Sequence, residues 1–317
     1  MTVCTRPNLL HSLFILTLTL LTGGCSDGSD SGFGAGPTLT GCADTGSCAP
    51  NPTLQIGGER PAQAYIPADY TTTTRYPLVI VLHGFGANGP VQSAYMGFID
   101  RVDTMQYVMV APDGTLNEND ARFWNATPAC CAGDRTDIDD VTYIRGLIEE
   151  AAATYSIDPT RVGVFGHSNG GFMTLRMVCE ASDLITSALS LAGSTWEDAQ
   201  SCAPADNPVS VLLLHGDEDA TIFYDGSDTR GYPGAVETSE RFAERVGCDI
   251  ANPIRRENLD VDGSVDGAET TVLAYPGCIP GAEVELWTIV GGPHIPVPWV
   301  SSAQDAFIDW LINHPRG

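Results

Sequence analysis

From about Leu54 onward, short unbroken apolar runs alternate with stretches of helical spacing. The runs "QAYIP" (63–67), "PLVIVLHG" (77–84), "YVMVAPDG" (107–114), "RVGVFGH" (161–167), "SALSLAG" (187–193), "SVLLLHG" (210–216) and "VELWTIVGG" (284–292) predict strands. Residues 141–155, 169–180, 236–247 and 302–314 carry the three-to-four residue period of helices. The Val, Ile and Leu runs are apolar on both faces, as in a parallel sheet covered by helices on both sides. Strand and helix in alternation predict a doubly wound α/β domain, and 317 residues fit one such unit. In these sheets the chemistry lies just beyond the carboxyl ends of the strands, so candidate residues are sought where each run stops.

The first 53 residues read differently. Arg6 precedes an apolar stretch, "SLFILTLTLL" (12–21), that ends at "TGGC". A membrane span needs about 20 apolar residues, so residues 1–24 are expected to be a cleaved export signal. The small residues before Cys25 resemble the lipobox of bacterial lipoproteins, with Leu21 one place from the preferred position and Thr22 occupying it. Cys25 is therefore the expected lipidation site, and a doubly acylated cysteine anchors a chain stably. The chain is expected outside the cytoplasm, secreted or held at the cell surface. Residues 25–53 are mostly Gly, Ser, Asp, Thr and Pro, too poor in apolar side chains to offset ordering entropy, and are expected to be a flexible tether. The catalytic domain is expected over residues 54–317.

Charge narrows the class of partner. Asp and Glu total 40 against 15 Lys and Arg, a formal net charge of -25. Such a surface repels phosphate backbones and anionic headgroups, which argues against nucleic-acid binding and leaves the lipid on Cys25 as the membrane contact. Of the ten cysteines, Cys4 falls in the signal and Cys25 at the lipobox, and eight remain: Cys42, Cys48, Cys130, Cys131, Cys179, Cys202, Cys248 and Cys278. An even number in an exported chain, with no C-x-x-C pair, points to disulfides and not to a metal site. Spacing does not fix the pairing; Cys42 with Cys48 and Cys248 with Cys278 are expected, with Cys130 and Cys131 tying their loop to Cys179 or Cys202.

One strand end carries more chemistry than a turn requires. Residues 162–174, "VGVFGHSNGGFMT", place Gly166-His167-Ser168-Asn169-Gly170 between a strand and a helix, matching G-x-S-x-G. A nucleophile elbow needs small residues on both sides, because strand and helix nearly touch at the sharp turn. Ser168 is the expected nucleophile, and it needs a base and an orienting acid further along the chain. There are six histidines. His11 lies in the leader, His314 ends the last helix, and His83, His167 and His215 each adjoin a turn at a strand end. His294, in "VGGPHIPVP" after the last strand, is the expected general base. The strand ending "LLLHGDEDATI" offers three carboxylates, Asp217, Glu218 and Asp219, and spacing does not choose among them. The loop "VLHGFGANG" (81–89) and the residue after the nucleophile supply the expected oxyanion donors, the backbone N–H groups of Phe85 and Asn169. "LDVDGSVDG" (259–267) lacks the terminal glutamate of a calcium loop and reads as a turn between strands.

These residues, with "LHGFGAN", "APDG", "FWNATPACC", "DDVTYIRGLIEE", "HGDEDATI" and "VELWTIVGGPHIPVP" in that order, resemble the polyhydroxybutyrate depolymerase and feruloyl esterase family over roughly Gln63 to Pro315. The resemblance implies an α/β-hydrolase fold, a mostly parallel sheet with helices on both faces. It singles out Asp219, the last residue of H-G-x-x-D, as the acid, and it implies an exported serine esterase with no cofactor or metal. Feruloyl, acetyl or short-chain esters and polyhydroxybutyrate oligomers are the implied substrates. With no separate adsorption domain visible, soluble oligomers and small esters are favoured over crystalline polymer. Phe85 stands where the family often has Cys, and Ile295 and Pro296 replace its usual residues after the histidine. The alternatives are a serine peptidase of the same fold and a catalytically silent surface-binding lipoprotein.

Overall fold

A computed structural model describes residues 39–133, 135–202 and 207–316. The expected signal at 1–24, Cys25 and the first part of the expected tether lie outside the described residues. Ten strands form one sheet. In chain order they are β1 (Gln55–Ile56), β2 (Ala62–Tyr65), β3 (Tyr76–Leu82), β4 (Val108–Ala111), β5 (Ile157–His167), β6 (Ser187–Leu191), β7 (Ser210–Gly216), β8 (Ile254–Leu259), β9 (Thr270–Tyr275) and β10 (Val284–Ile289). Across the sheet the order is β1-β2-β4-β3-β5-β6-β7-β10-β9-β8. The six central strands from β4 to β10 run parallel, and antiparallel pairs flank them on each side. The expected α/β-hydrolase sheet is thus present.

The continuous apolar runs are explained by burial on both faces. Along β3, Leu78, Ile80 and Leu82 join one core cluster, while Val79 and Val81 join another on the opposite face. Of the α-helices, α1 (Cys42–Thr45), α2 (Gly89–Tyr95) and α3 (Val102–Met105) are short, and the first cluster takes in Leu147 and Ile148 of α4 (Asp140–Thr154), Phe172 and Leu175 of α5 (Asn169–Glu180) and Phe242 of α6 (Ala235–Arg245). The second is closed by Phe307, Ile308 and Leu311 of α7 (Ser301–Ile312). Asp139 caps α4 by accepting the N–H of Thr142 at 2.9 Å, so the long helix starts where its apolar stripe meets the sheet.

Residues 39–53, read from composition as the end of a tether, are folded onto the domain. Leu39 is buried in the first core cluster, Arg75 pairs with Asp44 at 2.7 Å, and the Tyr155 hydroxyl donates to the Thr53 carbonyl at 2.9 Å. Polar composition concealed this because the segment is held by a few specific bonds and one disulfide, not by an apolar stripe.

Disulfides join Cys42 to Cys48 and Cys248 to Cys278, as expected. The expectation for the other four cysteines is corrected. Cys130 and Cys131 bond to each other, and Cys179 bonds to Cys202. Cys179 sits one residue from the end of α5, and its Cα lies 5.2 Å from that of Cys202, inside the range a disulfide can span. The Cys179–Cys202 bridge closes a 23-residue separation, which restricts the unfolded chain by about 3 kcal/mol. Replacing both cysteines with serine should lower the unfolding free energy in urea by about that amount; an unchanged midpoint and slope would contradict the bridge.

Candidate active site

The site is built where β5 meets α5. Ser168 is the residue between them, with φ 55° and ψ -118°, a conformation that side chains other than glycine rarely adopt. The turn closes because its neighbours have no side chains: a Cβ on Gly166 would overlap the carbonyl of Gly170, and one on Gly170 would overlap the carbonyl of Leu82 on β3. The Ser168 N–H donates to the Leu191 carbonyl of β6 at 2.8 Å, and the Phe172 N–H returns to the Ser168 carbonyl at 3.0 Å. The side chain is left at the helix N-terminus in a cavity of about 450 Å³.

His294 reaches this cavity from the loop after β10. Its Nε2 lies 2.9 Å from Ser168 Oγ, and its Nδ1 lies 2.6 Å from Asp219 Oδ2. A carboxylate only accepts, so Nδ1 carries the proton and Nε2 is the atom that accepts from the serine hydroxyl. Asp219 is buried, and burial alone would raise its pKa. Hydrogen bonds from His215 and His294, the charge of His294 and the Thr221 N–H outweigh that and hold the carboxyl well below the usual range. Its Oδ1 accepts from Thr221 and Ile222 at 2.7 and 2.9 Å. Of the three carboxylates at this strand end, Asp219 is therefore the one brought to the histidine. Exposed Asp217 instead accepts the Gly291 N–H at 2.6 Å and ties down the base of the same loop.

The expected oxyanion residues also meet here. In the loop after β3, the N–H groups of Gly84, Gly86 and Ala87 donate to Gln92 Oε1, the Arg122 carbonyl and the Gly84 carbonyl. Among the described residues the Phe85 N–H has no such acceptor, and Phe85 lines the cavity with Ser168. The Asn169 side chain is turned to Trp124, its Oδ1 accepting from the Trp124 N–H at 2.7 Å and its Nδ2 donating to the Trp124 carbonyl at 2.9 Å. Its backbone N–H, at the first position of α5, is left without an intrahelical partner.

Three histidines read from the sequence as turn residues prove more specific. His83 Nε2 accepts the Gly114 N–H at 2.8 Å, so Nδ1 is the protonated nitrogen and donates to the Gly84 carbonyl at 2.7 Å; burial lowers its pKa and favours this neutral form. His215 Nε2 lies 2.9 Å from the Ile222 carbonyl and 3.3 Å from Asp219 Oδ2, a second imidazole on the acid that sequence reasoning missed. Its only signal was the four-residue spacing in "HGDED". His167 donates from Nε2 to the His294 carbonyl at 3.0 Å, and Tyr95, in α2 (Gly89–Tyr95), donates its hydroxyl to the Pro296 carbonyl at 2.8 Å. The histidine loop is thus held from both sides.

Burial, and secondarily positive charge on His294, push the His167 pKa down to about 4. In the unfolded chain an imidazole titrates near 6.5, so between pH 6.5 and about 4 the unfolded chain binds more protons than the fold. The stability that neutral His167 contributes is whole above pH 6.5 and is lost as pH falls through that window, up to about 3 kcal/mol. His167→Gln should therefore show a shallower fall in unfolding free energy between pH 7 and pH 4.5 than wild type; parallel slopes would remove His167 as the source.

Comparison with known proteins bears on the family and the fold. Residues 53–230, more than half of the chain, match the Esterase family, described as "Putative esterase". Feruloyl esterase B of Piromyces equi is 30% identical over 54% of this chain and 31% of its own length. Poly(3-hydroxyalkanoate) depolymerase C of Paucimonas lemoignei is 30% identical over 69% of this chain and 54% of its own length, so the chain spans less than two thirds of both relatives. Among solved structures, acetyl xylan esterase from Aspergillus awamori superposes with a TM-score of 0.62 at 15% identity, covering 81% of this chain and 97% of that one, a likeness of fold. The match across strands, elbow and acid loop means that this chain belongs to the Esterase family and has the α/β-hydrolase fold.

Proposed function

We propose that this chain is an exported serine hydrolase of carboxylic esters, working through an acyl-enzyme on Ser168. The observation that carries the reading is the unbroken hydrogen-bond chain from Ser168 Oγ through His294 to Asp219. Ser168 Oγ attacks the ester carbonyl while His294 Nε2 takes its proton, and Asp219 holds Nδ1–H in place and stabilises the imidazolium. The Phe85 and Asn169 N–H groups receive the oxyanion, a role worth about 3 kcal/mol per donor in comparable sites. His294 then protonates the departing alcohol, and a water activated by the same nitrogen releases the acid and restores the serine.

The cavity favours an apolar acyl group. Phe85, Ala87, Val91, Tyr95 and Ile295 form its apolar wall, and the Tyr95 hydroxyl is already committed to Pro296. Short-chain, aromatic or hydroxyalkanoate acyl groups fit that chemistry, in keeping with the names of the feruloyl esterase and depolymerase relatives. Export is supported by the four disulfides, which persist in oxidising compartments, together with the signal-like leader and its Cys25.

The test is hydrolysis of p-nitrophenyl butyrate, methyl ferulate, acetylated xylan, amorphous polyhydroxybutyrate and a peptide substrate by one preparation. Wild type should cleave at least one ester and label with an organophosphonate. Ser168→Ala should not label, and Asp219→Asn should lose about 10⁴-fold in kcat. Labelling that persists in Ser168→Ala, or activity on the peptide alone, would contradict the reading.

A further inference from the structure

The motif "APDG" (111–114) takes no part in the hydrogen-bond chain at Ser168, yet it is bonded on several sides. Asp113 Oδ1 accepts the Gly89 N–H, its Oδ2 pairs with Arg122 Nε, and its carbonyl accepts from Arg60 Nε, each at 2.9 Å. Gly114 then presents its N–H to His83 Nε2 at 2.8 Å. A Cβ on Gly114 would overlap the Phe123 carbonyl, so only glycine brings the loop this close. The bond reaches a fully buried histidine, the first residue after β3.

Each nitrogen of the His83 ring has one fixed task. A backbone N–H only donates and a carbonyl only accepts, so Gly114 leaves Nε2 bare and puts the proton on Nδ1, 2.7 Å from the Gly84 carbonyl. Burial of the ring favours this neutral form. The main chain of His83 is held as well, its carbonyl accepting from Trp124 Nε1 at 3.0 Å. Gln92 Oε1 takes the Gly84 N–H at 3.2 Å, so Gly84 is held at both of its backbone groups. The Ala87 N–H also donates to the Gly84 carbonyl at 3.0 Å, but that bond closes the turn on itself and would move with it.

Holding the Gly84 carbonyl sets the direction of a different group. The Gly84–Phe85 peptide is trans and planar, so its C=O and its N–H point opposite ways. With the carbonyl drawn to the buried ring, the Phe85 N–H faces away from it, on a residue that lines the cavity with Ser168. A Cβ placed on Gly84 would lie 3.5 Å from Ser168 Cβ, so this peptide runs beside the nucleophile. Glycines on both sides of Phe85 would let the peptide rotate if it were released. We infer that His83 is a positioning residue: through the Gly84 carbonyl it aims the Phe85 N–H at the oxygen that becomes charged when Ser168 attacks. Gly114 serves the same end at one remove, by deciding which His83 nitrogen carries the proton. The inference rests on the proposed acyl transfer at Ser168.

Two substitutions separate this role from support of the fold. Asparagine places its amide over Nδ1 and can still donate to Gly84, whereas glutamine places its amide over Nε2 and can still accept from Gly114. With p-nitrophenyl butyrate, His83→Gln should lower kcat about 10- to 100-fold with KM changed by less than about threefold, because a displaced oxyanion donor is missed only in the transition state. His83→Asn should stay within about fivefold of wild type although it gives up the Gly114 bond. Butyl trifluoromethyl ketone reports on the same group without turnover: Ser168 Oγ adds to its carbonyl carbon, the carbonyl electron pair moves to the oxygen, and His294 takes the serine proton. Its Ki should rise in His83→Gln by the factor by which kcat/KM falls. Nitrogen NMR of labelled wild type should find the proton on His83 Nδ1, a reading that needs no variant to fold. A folded His83→Gln with wild-type kcat, equal losses in His83→Gln and His83→Asn, or a proton on Nε2 would overturn the role of His83 while leaving the esterase reading in place. A wild type that cleaves no ester would overturn the proposed function, and the role of His83 with it.

Discussion

The backbone at Ser168 is the constraint on which the rest depends. A serine at φ 55° and ψ -118° costs about 1–3 kcal/mol relative to relaxed backbone, and it persists only where its surroundings allow nothing else. Here β5 lies in the middle of the sheet, paired on both sides by parallel strands, and cannot shift. Gly166, Gly170 and Gly171 let α5 approach so closely that the chain must turn sharply. The result lifts one hydroxyl out of a buried strand end, beside a helix N-terminus whose first N–H has no intrahelical partner. Strain and positioning are the same feature viewed from the backbone and from the side chain.

The partners of Ser168 are placed by similar means. Asp219 receives two imidazoles and two backbone N–H groups, which keeps it charged despite its burial. His294 sits on a loop whose start is tied by Asp217 and whose path is held by His167 and Tyr95. Three strand ends, β5, β7 and β10, thus converge on one hydrogen-bond chain. The apolar wall of the cavity lies beside the outer end of that chain, at Ser168 and His294.

Much of this was legible in the chain because parallel strands buried on both faces leave continuous apolar runs. Strands β3 to β7 and β10 and helices α4 to α7 all lie where the pattern put them, within a few residues. The edge hairpin was not legible: Ile254–Leu259 is almost entirely exposed and carries no alternation, so only its pairing to β9 makes it a strand. Ser168 and His294 could be picked out from glycine placement and position after a strand. Asp219 could not be separated from Asp217 and Glu218 by spacing, since the choice depends on which carboxylate the turn buries. His215 and His167 looked like turn residues because their partners, Asp219 and the His294 carbonyl, are set by the fold. The cysteine pairing failed at Cys130, Cys131, Cys179 and Cys202 for the same reason, that proximity across loops has no sequence period.

The central claim is that Ser168 is the nucleophile and that two backbone amides receive the charge that develops when it attacks. A crystal structure of the chain inactivated with an organophosphonate tests both parts at once. The account predicts phosphorus bonded to Ser168 Oγ, with the phosphonyl oxygen about 2.7–3.1 Å from the N–H groups of both Phe85 and Asn169. An adduct on another residue, or a phosphonyl oxygen turned away from those two amides, would contradict it.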